Sequence, residues 1–202
     1  MPRLIHLNGM PAVGKSTLAD LYVRDHPGVL NLDIDRLQEL VGGWEDLRQP
    51  THGILRPVAL AMASAHLQGG HDVVLPYFLG GLSEIQEFER VAERTGSRFC
   101  QIVLLDSKSS SLARFERRTG TDPWNLHVRR CVEHWGGVPY LEGLYSQLLD
   151  RIHTTAGTVV LPSIEGALDE TYALLVSTLE DQFPTDVSDG RGTTDGTTRY
   201  YG

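Results

Sequence analysis

The stretch with the clearest chemical signature is GMPAVGKST, which runs from Gly9 to Thr17 directly after the apolar segment LIHLN. Two glycines five positions apart are followed by a lysine and two hydroxyl residues, which is the pattern G-x-x-x-x-G-K-[ST]. In such a loop, backbone N–H groups surround phosphate oxygens, and the helix that follows adds the positive end of its dipole. The pattern therefore predicts a phosphate-binding loop between a strand and a helix.

Each residue type in this loop has a physical reason to be there. Gly9 and Gly14 stand where a Cβ would block the approach of the backbone or where φ is positive. Lys15 would reach the outer phosphates as a point charge, and the Ser16 hydroxyl would be a Mg²⁺ ligand. The residues predicted to hold the nucleotide are Gly9, Ala12, Val13, Gly14, Lys15, Ser16 and Thr17.

A second group that could do chemistry lies in NLDIDRLQEL, where Asp33 and Asp35 follow an apolar run. Residues two apart point to the same side of an extended backbone, so both carboxylates could face the terminal phosphate. One could accept a proton from an attacking hydroxyl, while the other could hold metal-bound water. The alternative is that Asp35 serves only as the N-cap of the helix that follows.

Strand-like and helix-like segments alternate along the chain, which predicts an α/β fold with a parallel sheet. The segment 83–96 is the clearest helix, with Ser83 and Gln86 as a predicted capping box and an apolar stripe behind them. The strands are rich in Val, Ile and Leu with little alternation, as expected where helices cover both faces. The five predicted strands are 3–8, 28–33, 72–77, 97–106 and 157–163.

Length and composition predict one soluble domain over 1–183, followed by a polar, disordered tail over 184–202. The formal charge of −8 argues against nucleic-acid or anionic-membrane partners, which need a basic face. Two cysteines are too few for a disulfide framework or a metal site. No signal peptide or apolar run of membrane-spanning length is evident, so a cytoplasmic protein is expected.

The phosphate-binding loop followed about twenty residues later by D-x-D resembles the small-molecule kinases of the P-loop class. Shikimate kinase and gluconate kinase share the D-x-D spacing. Chloramphenicol phosphotransferase, zeta-toxin-like kinases and the tunicamycin-resistance protein are similar in overall layout. The resemblance implies a P-loop NTPase fold, a small lid, and use of ATP and Mg²⁺. It also implies that Asp35 contacts the acceptor hydroxyl and that Asp33 lies nearer the metal.

One feature departs from many P-loop enzymes. The third strand, DVVLPYF, is followed by Pro76 and Tyr77, where motor ATPases and switch GTPases carry a carboxylate that holds Mg²⁺. This argues against both of those classes. The metal would then depend on Ser16 and Asp33. The tunicamycin-resistance protein is similar in having a proline at this point.

The segment LARFERRTGTDP follows the fourth predicted strand. Arg114 and Arg118 are four apart and would share one face of a helix, with Arg117 beside them. In the resembling kinases such a helix leads into a lid, here about 115–140, that closes over the phosphates. The resemblance implies Arg114 near the adenine and Arg118 near the phosphates, where it would stabilise transferring charge. The alternative is a solvated basic face balanced by Glu116.

Other residues have weaker signals. Arg56 follows the second strand and could hold an acidic or polar group of the substrate, or lie on the surface. Trp44, Trp124 and Trp135 could line a substrate pocket or pack in the core. Ser163, after the last strand, matches by position the loop that contacts adenine in the resembling kinases.

These observations predict an ATP- and Mg²⁺-dependent kinase that phosphorylates a hydroxyl of a small molecule, a metabolite or an antibiotic. Lys15, Asp35 and Arg118 are the predicted catalytic residues. A nucleoside monophosphate kinase is one alternative; it needs no base but more arginines around the acceptor than residues 36–66 offer. A toxin-like or regulatory nucleotide-binding module, which phosphorylates or senses without small-molecule metabolism, is another; a protein that only binds nucleotide would have no use for Asp35.

Overall fold

Five parallel strands form one sheet in this computed structural model, in the spatial order β2-β3-β1-β4-β5. The predicted sheet is confirmed, and β1, which leads into the phosphate-binding loop, lies at its centre. The second and third strands are shorter than predicted, because Asp33 already caps a helix and Pro76 has no N–H to continue the ladder. The strands are β1 (Arg3–Gly9), β2 (Leu30–Asn31), β3 (Val73–Leu75), β4 (Arg98–Leu105) and β5 (Val159–Pro162).

Helices connect the strands and cover both faces of the sheet. The structure describes residues 1–47, 51–118, 120 and 123–184. Within these ranges, no helix has the length and apolar character that a membrane span would require. The helices are α1 (Lys15–Asp25), α2 (Ile34–Gln38), α3 (His52–Gln68), α4 (Leu82–Arg94), α5 (Lys108–Arg117), α6 (Pro123–His134), α7 (Val138–Thr154) and α8 (Leu168–Gln182).

Side chains along β1 point alternately to the two faces of the sheet. Helices cover both faces, so the residues of β1 are apolar on both sides. Leu4 packs with α3 and α4 on one face, whereas Ile5 and Leu7 pack with α1 and α8 on the other. All three are fully buried. A third apolar cluster joins α5 and α7 to Val103 of β4. The sheet is therefore a rigid platform that fixes where β1 delivers the loop.

The predicted capping box of α4 is wrong. The helix begins two residues earlier, with Gly81 as its N-cap, and the Glu84 carboxylate accepts a hydrogen bond of 3.1 Å from the Gly81 N–H. Ser83 therefore lies inside the first turn rather than at its start. This shift places Glu84 at the sheet edge, where it takes part in the site described below.

The predicted tail lies outside the described residues from 185 onward, so its disorder stays a prediction. The predicted lid region, about 115–140, contains the end of α5, all of α6 and the start of α7. Its boundaries as a lid also stay a prediction.

Candidate active site

The loop between β1 and α1 is shaped by residues that tolerate positive φ. Gly14 is the N-cap of α1 at φ 100°, and Ala12 has φ 67°, which is uncommon for a residue with a side chain. A Cβ on Gly9 would lie 2.7 Å from the carbonyl oxygen of Leu104 and 2.9 Å from Val13 Cγ1. In the described part of the chain, no side chain caps α1, so its first N–H groups are available to an anion.

Lys15 lies inside the loop and lines the adjoining cleft. Its Nζ donates hydrogen bonds of 2.8 Å to the Gly9 carbonyl and 3.0 Å to the Met10 carbonyl. Burial lowers its pKa to about 8, although the carboxylates of Asp35 and Asp33 act in the opposite direction. The Lys15 ammonium is thus desolvated and close to two carboxylates. An anion with more negative charge than a carboxylate would bind to it more strongly than they do.

Asp33, and not Asp35, caps α2. The buried Asp33 carboxylate accepts a hydrogen bond of 3.1 Å from the Asp35 N–H, and the helix begins at Ile34. The predicted alternative, in which Asp35 serves as the cap, is therefore wrong. The assumption of an extended backbone is wrong as well, because α2 starts between the two aspartates. Both carboxylates nevertheless line the same cleft.

The Asp35 carboxylate lies close to Lys15 and Arg118. Burial and the neighbouring Asp33 carboxylate raise the pKa of Asp35 to about 7, while Lys15 and Arg118 act to lower it. The structure thus brings the three predicted catalytic residues together. A carboxylate that holds a proton weakly near neutral pH, beside two cations, is an arrangement suited to proton transfer next to a charged group.

Arg118 terminates α5 and is held there by the lid region. Its N–H bonds to the Phe115 carbonyl at 3.2 Å, and its own carbonyl accepts from Arg129 Nε of α6 at 3.0 Å. Arg117, by contrast, is exposed and pairs with Glu165. The predicted shared face is therefore incomplete, because α5 ends at Arg117 and the chain changes direction at Arg118.

Arg114 connects the phosphate-binding loop to the end of β5. Its guanidinium donates to the Ser163 carbonyl at 2.7 Å and to the Val13 carbonyl at 3.3 Å. It also forms an ion pair of 3.4 Å with Asp106, the residue that follows β4. Ser163 thus lies beside the loop, as its position after the last strand predicts.

A single cleft of about 1240 Å³ contains most of the predicted residues. We call the part of the cleft formed by the phosphate-binding loop, α5 and the residues after β5 the nucleotide half. We call the part formed by α2, the start of α3, residues 77–84 and α6 the acceptor half. Predicted site residues that line the cleft are Ala12, Gly14, Lys15, Ser16, Thr17, Asp33, Asp35, Arg56, Arg114 and Arg118, whereas Gly9 and Val13 lie behind the loop.

Arg56 lies in the acceptor half, where its guanidinium forms ion pairs with two carboxylates of α4. It bonds to Glu84, and Glu87 Oε2 lies 3.9 Å from Arg56 Nε. Glu84 and Glu87 thus already neutralise the Arg56 guanidinium. An acidic substrate group would have to compete with them for the predicted binding role.

Comparison with solved structures reveals the same architecture in enzymes. A gluconokinase from Sinorhizobium meliloti 1021 superposes with a TM-score of 0.55 at 20% identity, covering 90% of this chain and 98% of its own. The tunicamycin resistance protein of Deinococcus radiodurans gives 0.55 at 15% identity, covering 87% and 96%. A candidate kinase from Chloroflexus aurantiacus gives 0.61 at 16% identity, covering 89% and 96%.

The chain has the P-loop kinase fold. The sheet order, the loop after the central strand and the superposition over most of each chain agree on this point. No family model and no curated sequence matches the chain. At 15–20% identity the superpositions indicate the fold alone.

In a P-loop kinase fold the residues around α1 fit Mg·ATP. Ser16 and Asp33 both line the cleft beside the loop, and an oxygen donor set of this kind suits Mg²⁺, which keeps several waters and takes few protein ligands. Among the described residues there is no group of three or more His, Cys, Asp or Glu side chains that could hold a metal ion.

Several residues of the cleft carry no sequence signal. Tyr77 Oη and His52 Nδ1 are 2.5 Å apart, although 25 residues separate them, and Gln38 accepts a bond from Thr51. His127 of α6 contacts the rings of Trp44 and Trp124. Asp106, which pairs with Arg114 beside the cleft, does have a readable signal, since it follows a strand at the edge where ligands of α/β sheets bind.

Proposed function

We propose that this protein is a Mg²⁺- and ATP-dependent kinase that transfers the γ-phosphoryl group to a hydroxyl of a small molecule. One observation carries the proposal: Asp35, Lys15 and Arg118 converge in one cleft, at the junction of its nucleotide and acceptor halves. The P-loop kinase fold supports it as well. A protein that only bound nucleotide would have no use for a desolvated carboxylate at this junction.

Asp35 orients the acceptor hydroxyl and takes up its proton as the new O–P bond forms. Burial raises the Asp35 pKa to about 7, so the carboxylate is a stronger base than an exposed aspartate and still ionised in a useful fraction at neutral pH. Its position in the first turn of a helix that is capped by Asp33 fixes its direction.

Lys15 and Arg118 stabilise the negative charge of the migrating phosphoryl group. Both are cations close to Asp35, and in a partly desolvated cleft their fields are screened less than in water. Ser16 and Asp33 would hold Mg²⁺, which supplies charge neutralisation on the phosphate oxygens. Arg114 binds the loop carbonyl of Val13 and keeps the nucleotide half in shape.

The central test compares Asp35→Asn with the wild-type protein. Asparagine keeps the size of the side chain but removes its charge and basicity. We expect Mg·ATP affinity within a few-fold and phosphoryl transfer lowered by about 10²-fold or more. ADP release against a panel of hydroxylated metabolites and antibiotics, with phosphorus NMR of the product, measures transfer; calorimetry with a non-hydrolysable ATP analogue measures affinity.

Two further variants make the result specific. Asp33→Asn should instead weaken ATP binding and make it steeply dependent on Mg²⁺. Asp150→Asn, on the exposed face of α7, is the matched control and should change neither quantity. Near-normal transfer by Asp35→Asn to any acceptor would exclude the proposed hydroxyl kinase.

A further inference from the structure

Few positively charged side chains line the acceptor half of the cleft. Among the described residues that line it, Arg56 is a cation and is paired with Glu84 and Glu87, whereas Asp35 and Glu84 are carboxylates. A phosphate or carboxylate on the acceptor would therefore enter a negative environment. Because like charges in a desolvated site repel strongly, this half disfavours an anionic acceptor.

The guanidinium of Arg36 does not change this balance. It also lines the cleft, but it bonds to Asp20 at 2.6 Å and lies 3.6 Å from Asp33. It is therefore already paired with carboxylates in the middle of α1 and at the N-cap of α2.

Gln38 presents an amide nitrogen that the protein does not use. The residue is 2% exposed, and its Oε1 accepts a hydrogen bond of 2.8 Å from Thr51 Oγ1. Within the described chain, its buried Nε2 has no hydrogen-bond partner, and the residue lines the cleft. A buried donor without a partner costs about 1–3 kcal/mol, so a ligand that accepts from it would recover this energy.

His127 of α6 adds a second such nitrogen. It is 7% exposed and lines the cleft, and in the described part of the chain its buried Nδ1 has no partner. Cys131 Sγ lies 3.3 Å from Nε2, and burial raises the pKa of this thiol, so the S–H stays protonated and can donate to Nε2. Burial also lowers the pKa of His127. A neutral ring that accepts at Nε2 carries its hydrogen on Nδ1.

Aromatic rings lie around His127 and along the same cleft. Trp44 lies edge-on to His127 with ring centroids 5.0 Å apart, and Trp124 lies 5.7 Å from the same ring. The cleft is also lined by Trp124, Trp135, Tyr140, Phe78 and Val128. A lining of this kind packs well against a flat or apolar ligand. It offers few hydrogen bonds to a densely hydroxylated acid.

We propose that the acceptor is an alcohol without an anionic group, with an aromatic or apolar body and a hydrogen-bond-accepting group that Gln38 and His127 recognise. This inference rests on the proposed kinase function and narrows its substrate class. It excludes nucleoside monophosphates and sugar acids as acceptors.

The test uses a pair of alcohols of nearly equal size and shape that differ in charge, 4-(hydroxymethyl)benzamide and 4-(hydroxymethyl)benzoate. Thymidine and thymidine monophosphate are a second pair, in which the phosphate also replaces the 5′ hydroxyl. The chain has three tryptophans, two lining the cleft and the third, Trp44, with its ring tilted against that of Trp124, so quenching of intrinsic fluorescence reports binding without turnover. We expect neutral members to bind at least about tenfold more tightly than their anionic partners.

Two variants connect that preference to the residues. Gln38→Met removes Nε2, together with the Oε1 that accepts from Thr51, at nearly constant size, and His127→Phe keeps an aromatic ring but removes Nδ1. Each should weaken binding of the amide-bearing alcohol about five- to tenfold, the loss of one hydrogen bond, while the Kd for the ATP analogue is unchanged. Gln68→Met and His153→Phe, both at exposed positions outside the cleft, are the matched controls.

Failure of this inference is distinct from failure of the kinase proposal. Tighter binding of the anionic members, or no quenching by any neutral member at millimolar concentration, would overturn the inference even if ADP release showed kinase activity. Unchanged binding in both variants, with melting temperatures near that of the wild type, would overturn it too. Neutral preference without transfer would support the substrate class and contradict the kinase proposal.

Discussion

The hydroxyl of Ser163 donates a hydrogen bond of 2.7 Å to the carbonyl oxygen of Val13, a residue 150 positions earlier in the chain. Arg114 joins the same two residues, since its guanidinium donates to both of their carbonyl groups. The phosphate-binding loop is thus held from behind by the end of β5 and from the side by α5. The shape of the loop in the absence of nucleotide therefore depends on contacts from the whole edge of the sheet.

Ser163→Ala should therefore weaken nucleotide binding although the serine is not in the loop. We expect a free energy of unfolding lower by about 1 kcal/mol and affinity for an ATP analogue reduced a few-fold, because the Val13 carbonyl loses the shorter of its two side-chain hydrogen bonds and keeps the longer one from Arg114. Calorimetry and chemical denaturation measure the two effects. Ser177→Ala on α8 is the control, and equal ATP affinity in all three proteins would contradict the prediction.

Removal of the Arg118 side chain should reduce turnover more than binding. Arg118→Ala is expected to lower kcat by about 10²–10⁴-fold, as other arginines that contact transferring phosphoryl groups do, with a small change in the KM for ATP. Steady-state kinetics with any acceptor that supports ADP release measures both. Arg94→Ala, at the end of α4 and outside the cleft, controls for charge. A raised KM with normal kcat would instead assign Arg118 to ground-state binding.

Glycine at position 9 should be required for a steric reason. In Gly9→Ala the new Cβ would meet backbone oxygen of Leu104 at 2.7 Å, so β4 or the loop must move. Gly70 also has positive φ, at 85°, but nothing lies within 4 Å of a Cβ built on it. Gly70→Ala thus reports backbone strain alone. We expect Gly9→Ala to lower the melting temperature further than Gly70→Ala, and equal losses would show that the contact with Leu104 is relieved at little cost.

The elements that could be predicted are those governed by local patterns. Apolar strands and a glycine motif specify β1, its loop and α1, since both signals are contained in a few consecutive residues. Asp33 and Asp35 were placed correctly at the edge of the sheet, but their roles in capping were exchanged, because spacing alone does not tell where the helix begins. The start of a helix depends on which carboxylate bends back to the backbone.

The acceptor half could not be predicted for a different reason. Gln38 and His127 line one cleft, and Trp44 contacts His127, only after the elements that carry them have packed, and none of the three residues belongs to a motif. Arg56 shows the same limit, since its neutralisation by Glu84 depends on the true start of α4. Contacts between side chains of different elements depend on the tertiary structure, so a local sequence pattern does not predict them.

His6 should make the protein less stable in mild acid. Its ring is fully buried on β1 against Gln101 and the Tyr77 carbonyl, and burial lowers its pKa below the ordinary 6.5. The unfolded chain therefore takes up this proton first as pH falls. The contribution to stability is complete above pH 6.5 and is lost as pH falls towards the lower folded pKa.

Denaturant titrations between about pH 5.5 and about pH 7.5 measure this effect. His6→Asn should lower stability at neutral pH but flatten its acid dependence, by up to about 1.4 kcal/mol per pH unit. Some slope should remain, because burial also lowers the pKa of His52 and His127. A slope in the variant equal to that of the wild type would show that His6 keeps its ordinary pKa in the folded protein.

The two outer strands of the sheet are short: β2 has two residues and β5 has four. An outer strand displays unpaired N–H and C=O groups that another chain can extend, and this is a common beginning of aggregation. Here β5 also ends in Pro162, which has no N–H to offer a neighbouring strand. The described sheet thus limits strand-to-strand association between copies at both of its borders, while the long apolar strands β1 and β4 lie in its interior.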